Sequence, residues 1–387
     1  MNPHRLIVLG LGGIGSAAAY WASRRLGGDV LGLEQYELGH LNGGSEDHSR
    51  IIRLSYHTPG YVELAKASYR AWAELEEDSG DRVILRTGGL DLAPADATIG
   101  LDDYRSSMSE AGVAFEELDA SEVMQRWPRW QLDDDVTALF QEESGIAMAS
   151  RANAAHRRMA LEHGATLLAT NEVTAIEESP EGVQITTAER RYQADRLVVA
   201  AGAWTNRVTG HLGTTFPLEV TQEQVVYLTP ADPEGFAPHQ FPIWIWMNEP
   251  CFYGFPIFGE PAVKMAWDRC ELVTTPETRE FEPREDVTTT IREFAAGHLP
   301  AADAGVHLAR TCLYTLTPDR DFIIDLLPGS QRVHVAVGAG HAFKFASLLG
   351  SILVDLALDG STEHEISPFG ADRAILTEQD PQRLYMV

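Results

Sequence analysis

HRLIVLGLGGIGSAAAYWASRRLGGDVLGLE, residues 4–34, decides the fold. The unalternated apolar run RLIVLG at 5–10 reads as a strand buried on both faces. LGGIGSAAAYWASRR then reads as a helix built of small residues, and DVLGLE at 29–34 as a second buried strand. Strand, helix and strand make a βαβ unit of about 30 residues with a right-handed crossover. Gly10, Gly12 and Gly15 form GLGGIG at the strand-to-helix turn, where glycines let the backbone approach a pyrophosphate at the positive helix N-terminus. Glu34 closes the second strand and can accept hydrogen bonds from an adenosine ribose. An acid there argues against a 2′-phosphate, but the motif does not separate FAD from NAD.

Working outward, Val62, Ala65, Tyr69, Trp72 and Leu75 recur at helical spacing behind Pro59, so 59–77 reads as one amphipathic helix. Residues 149–165 return to a helical pattern that stops at a glycine. TLLATNEVTAIEES and GVQITTAERRYQADRLVVAAG read as successive strands. From about 216 to 311 the chain becomes aromatic-rich, with QVVYL, FPIWIWM, CFYGFPIF and AVKMAW separated by Pro and Gly turns, which suggests a mostly antiparallel sheet. FIIDLL and VHVAVGAG are further buried strands, and FKFASLLGSILVDLAL is a helix. The expected class is α/β (α+β). A discontinuous Rossmann-like domain is assembled from 1–85, 150–215 and 312–387, and a sheet domain from 86–149 and 216–311 is inserted into it.

The chain has 387 residues, 44% of them hydrophobic, enough for two domains with real cores. A net charge of −27 sets up a field that repels phosphate backbones and anionic lipid, so neither nucleic acid nor a membrane surface is an expected partner. Cys251, Cys270 and Cys312 form neither a disulfide framework nor a metal-ligand pair, and no apolar run is long enough to span a bilayer. No metal is expected, and a reducing cytoplasm is the expected setting. Among 30 basic residues only Lys66, Lys264 and Lys344 are lysines. A lysine kept in so Arg-rich a chain marks either chance or a place where a compact ammonium is needed.

In NGGSEDHSRIIRLSY, residues 42–56, Arg50 and Arg53 stand three apart around two isoleucines. One reading is a solvated basic face. The other is a turn feeding a partly buried helix, where each guanidinium needs an anion such as a carboxylate.

Taken in order, GLGGIGSAAAYWASRR, GGSEDHSRIIRLSY, LVVAAGAWTN, YGFPIFGEPAVKMAW, TCLYTLTPDRDFIID and GAGHAFKFAS resemble the monomeric sarcosine oxidase and N-methyltryptophan oxidase family of flavoproteins. The resemblance runs over nearly the whole chain, and its last three motifs are far more specific than the glycine triad. It implies FAD held by Gly10, Gly12, Gly15, Glu34, Ser45, Arg50, Gly340 and Lys344, and joined covalently through a thioether from Cys312. It implies that Lys264 lies over the flavin and stabilises the negative charge developing on O2. Arg53 and Lys344 would hold a substrate carboxylate, Arg50 would favour the anionic reduced ring, and Tyr253 and Tyr314 would line the pocket, with Tyr314 and Arg50 beside Lys264 in the catalytic set. The implied activity is oxidation of the C–N bond of a secondary, N-methyl amino acid such as sarcosine. An imine, then an aldehyde, and hydrogen peroxide would be the products, with the amino acid and O2 as the small-molecule partners and a monomer or weak homo-oligomer as the expected state.

Two departures bear on the substrate. Where sarcosine-oxidase-type relatives read GSSHGDTR this chain reads GGSEDHSR, so Glu46 replaces a histidine and His48 an acid, and Asp268 stands where the family has a histidine four residues after the lysine. Glu46 and Asp268 either accept a basic group of the substrate or rearrange local hydrogen bonds. Trp244 and Trp246 share a strand face and either narrow the pocket or pack the sheet. His341 is either a general base or a partner for ring or backbone. Rival readings are an oxidase of pipecolate or a fructosyl amino acid, an NAD-dependent dehydrogenase, and a flavin-binding sensor without turnover.

Overall fold

The computed structural model describes residues 3–270, 272–378 and 381. The outermost residues of the 1–85 and 312–387 segments, and position 271 of the 216–311 segment, fall outside that set. The strand His4–Leu9 pairs in parallel with Val30–Leu33 on one side and Arg191–Val199 on the other. Val333–Val337 and Thr166–Leu168 extend this parallel core in an eight-stranded sheet. Leu6, Ile7 and Val8 have no exposed surface, as a parallel strand covered on both faces requires.

The helix Gly13–Leu26 packs against Ala346–Asp359 and Ala149–Glu162. Its small residues are what allow this approach: a Cβ on Gly350 would meet Ala17 Cβ at 2.6 Å. Gly15 is tighter still, since a Cβ there would lie 1.7 Å from the Gly10 carbonyl oxygen. Gly15→Ala is therefore expected to destabilise the protein by about 3 kcal/mol through overpacking. A lower urea midpoint with an unchanged slope would record it, whereas an unchanged midpoint would mean that the turn yields freely.

A nine-stranded sheet forms the other half. Glu219–Leu228 pairs antiparallel with Val306–Leu316 and with Val263–Trp267, which continues through Phe252–Phe255 to Ile243–Trp246. Ile243–Trp246 pairs in parallel with Gly89–Ala93, which brings Thr137–Gln141 and Glu116–Asp119 into the same sheet. The boundary drawn at 312 cuts a strand: Val306–Leu316 runs through it, with Cys312 opposite Glu223.

Arg50–Ile52 is a strand, which corrects the helix expected after GGSEDHS. Its two isoleucines pair with Gly145–Ala147 in a separate three-stranded sheet, so tertiary pairing decides where three residues carry no local preference strong enough. Trp244 and Trp246 pack on Phe294 in the core of the larger sheet and do not line the cavity described below, so they do not narrow the pocket. Among the described residues no helix is long and apolar enough to cross a membrane.

Candidate active site

One continuous cavity runs from the first strand-to-helix turn to the face of the larger sheet. Gly10, Gly12 and Glu34 line one end, Ser45 and Gly340 lie along it, and Arg50, Arg53, Tyr253, Tyr314 and Lys344 gather at the other. Gly15, Lys264 and Cys312 are not on its wall.

The three glycines divide their work. Gly10 sits at φ +84°, and a Cβ there would lie 2.5 Å from the Ala200 carbonyl oxygen, so it serves the turn. Gly15 serves helix packing, and Gly12 caps the helix facing Ser45 with no side-chain cap on the first-turn N–H groups. Those donors are left for an anion. Glu34 accepts from Leu11 N at 2.8 Å and Tyr36 N at 3.2 Å. Burial opposes its charge, but His40 and these N–H groups hold the carboxyl below its usual range, leaving an ionised acceptor at the cavity wall.

At the far end charge pairing decides the chemistry. Arg53 Nη1 binds Asp91 Oδ1 at 2.9 Å, and Ser55 donates to the other oxygen. Arg320 reaches Asp268 Oδ2 at 3.4 Å. Lys344 is different. Its Nζ makes no hydrogen bond or ion pair among the described residues and lies 5.7 Å from the centre of the Tyr56 ring. Burial, and then the Arg53 charge, bring its ammonium down to about 7. A cationic group short of a partner on a cavity wall is a receptor for an anion. Tyr253 and Tyr314 stand with their hydroxyls 3.5 Å apart, both pushed far up by burial and so protonated. His341 shares its Nε2 with the Arg320 carbonyl at 2.9 Å and is held well below its usual range by burial and by Lys344, which leaves it neutral and a weak base.

Lys264 is 2% exposed and lies behind the wall. Its Nζ donates to Asp47 Oδ2 at 2.5 Å and to the Ser49 carbonyl at 2.9 Å. Arg50 donates to the same Asp47 oxygen at 3.1 Å and to the Gly44 and Ser49 carbonyls. Cys312 belongs to this group, its thiol pushed up to about 11 by burial while Arg50 pulls the other way. Glu46, by contrast, is spent on Arg157 at 3.1 Å and Asn153 at 3.1 Å, which corrects the idea that it awaits a basic substrate. His48 faces Glu260 at 2.9 Å.

Residue reading alone overlooked Asp47, Asp91 and Tyr227. Asp91 carried a signal, an acid inside the apolar strand GLDLA that must be paired to be buried. Asp47 carried another, since it stands against a glycine in the GSSHGDTR pattern.

A family model described as FAD dependent oxidoreductase matches residues 5–356. The chain belongs to this family. Monomeric sarcosine oxidase of Streptomyces avermitilis is 36% identical over 99% of both chains. N-methyl-L-tryptophan oxidase of Salmonella arizonae is 32% identical over 95% of this chain and 98% of that protein. Among solved structures the open form of NikD, titled an unusual amino acid oxidase essential for nikkomycin biosynthesis, superposes with a TM-score of 0.85 at 27% identity, covering 98% of this chain and all of that one. The oxidoreductase is thus an FAD enzyme, and its cavity fits the cofactor. Uncapped N–H groups at Gly12 suit the pyrophosphate, Glu34 suits a ribose, and the Arg50 charge lies where the cavity meets the strand of Cys312.

Proposed function

We propose that this oxidoreductase oxidises the C–N bond of a secondary, N-methyl amino acid, using O2 and releasing hydrogen peroxide, with its FAD held by a thioether to Cys312. The observation that carries the reading is Lys344, an ammonium with no hydrogen bond or ion pair among the described residues, beside an Arg53 paired with Asp91. Arg53 is paired with Asp91 and Arg320 with Asp268, whereas Lys344 has no ion pair among the described residues, which suits it to one carboxylate. Both relatives above carry names of enzymes acting on N-methylated amino acids.

FAD, when bound, would supply a two-electron acceptor for the hydride lost from the carbon beside nitrogen as C–N becomes C=N, with O2 as the final acceptor that is reduced to hydrogen peroxide. The chain supplies the rest. Lys344 and Arg53 anchor the carboxylate, and the protonated Tyr253 and Tyr314 hydroxyls border the bound amine. Neutral His341 is a weak base, so the substrate must arrive with its own amine unprotonated. Lys264, fixed behind Arg50, offers positive charge to the oxygen reaction. In domain terms, the half built on the eight-stranded sheet would hold FAD and the nine-stranded half would face the substrate. Cys251 and Cys270, which form no disulfide, suit a reducing, cytoplasmic setting.

Peroxide release with sarcosine or another N-methyl amino acid, and none with the corresponding primary amino acids, is expected. Release with only a cyclic or sugar-modified amino acid would overturn the substrate class. Covalent attachment is tested separately: yellow colour should stay in the acid pellet, and the peptide carrying Cys312 should gain the mass of FAD. Cys312→Ser should release the colour to the supernatant, and colour in the wild-type supernatant would remove the thioether.

A further inference from the structure

We propose that Asp47 is a positioning residue for the oxygen reaction, fixing the Lys264 ammonium in place and keeping it charged. This rests on the oxygen role proposed for Lys264. Asp47 stands where the GSSHGDTR pattern has a glycine and His48 where it has an acid, so the acid of this stretch is placed one position earlier in this chain.

The geometry is that of a built socket. Oδ2 of Asp47 accepts from Lys264 Nζ at 2.5 Å and from Arg50 at 3.1 Å. Oδ1 accepts from the Tyr227 hydroxyl at 2.8 Å and from the His48 backbone N–H at 2.8 Å. The Ser49 carbonyl takes a second ammonium proton at 2.9 Å, and the Phe255 ring lies 4.8 Å from Nζ. Four directions around the carboxylate are thus occupied, and its side chain is only 7% exposed. A side chain held in this way can hold another.

The charged and titratable groups around the pair decide the sign of the effect. Arg50 disfavours a second cation, and Arg310 lies further out, 3.9 Å from Asp47. Burial disfavours it most, Asp47 favours it, and Tyr227 stays protonated. Beyond Arg310, Glu260 pairs with His48, His307 and Arg310, so that outer cluster is internally balanced. The balance leaves the Lys264 ammonium at about 8 with Asp47 in place. Remove the carboxylate, and burial and Arg50 act unopposed.

With only three lysines in the chain, lysine-selective carbon-13 labelling of the holoenzyme gives three Cε signals, assigned by Lys→Met variants. Asp47→Asn is expected to lower the Lys264 titration by about one pH unit or more, the scale set by losing an opposite charge within hydrogen-bond reach. The alkaline limb of the oxygen-dependent half of turnover should move down with it. Asp47→Glu should restore both, which a merely structural role would not produce. Should Asp47→Asn fail to fold, Asp47→Gly, the residue of the GSSHGDTR pattern, is read the same way. An unmoved Lys264 titration in these variants overturns the proposal while leaving the oxygen role of Lys264 intact. If Lys264→Met reacts normally with O2, the oxygen role itself fails, and the assignment of Asp47 fails with it.

Discussion

Lys264→Met is expected to slow the oxygen-dependent half of turnover by about 10²–10³-fold, the scale of losing one preorganised charge from a water-poor site. The anaerobic half, followed as bleaching of the flavin by substrate in a stopped-flow instrument, should change far less, because Lys264 does not reach the cavity where the carboxylate binds. Methionine keeps much of the volume of the lysine stem, so packing on Phe255 and Tyr227 survives the exchange. Two consequences separate this from a folding defect. Asp47 loses Lys264 but keeps Arg50, Tyr227 and, at 3.9 Å, Arg310, so the carboxylate is not stranded. The FAD content of the variant should therefore match the wild type. Equal slowing of both halves would remove the oxygen role.

Much of the fold was legible in residues 4–34, because an unbroken apolar run, a glycine turn and a helix of small residues have few other uses together. The cavity could also be anticipated: residues named from motifs hundreds of positions apart, Glu34, Arg50, Tyr314 and Lys344, line one space. What could not be read was pairing. Arg50–Ile52 is too short to settle its own conformation, and its pairing with Gly145–Ala147 makes it a strand. Trp244 and Trp246 share a face, but only the packed sheet shows that this face meets Phe294 rather than the cavity. Glu46 looks like a free acid until Arg157, more than a hundred residues on, takes it. Each of these depends on a long-range partner, and local periodicity holds no record of such partners. Asp91 is the instructive case, since a lone acid in an apolar strand announces that a cation must exist without saying which.

Lys344→Met is expected to weaken substrate binding by roughly 10- to 150-fold, the loss of one charge-assisted hydrogen bond of about 1.5–3 kcal/mol. It is a cleaner test of the carboxylate anchor than Arg53→Met. Removing Arg53 would leave Asp91 buried without its cation, a stability loss of about 3–5 kcal/mol that would be confused with lost affinity. Removing Lys344 strands no anion among the described residues, and the folded protein should be about as stable as before, because its half-buried ammonium makes no ion pair among them. The pH dependence gives the sign independently. Burial lowers the Lys344 ammonium to about 7, so below that pH the anchor is already charged, and above it a carboxylate can bind only as a proton is taken up. A carboxylate without an amine, such as propionate, should inhibit with a constant Ki below about pH 7. Above that point its Ki should rise by up to about tenfold per pH unit until the lysine in the complex itself titrates. In Lys344→Met the inhibition should be weak and flat across the same range. A wild-type Ki that is flat through this range, or a sloping one that survives the substitution, would place the carboxylate elsewhere in the cavity, with the Arg320–Asp268 pair next to be tested.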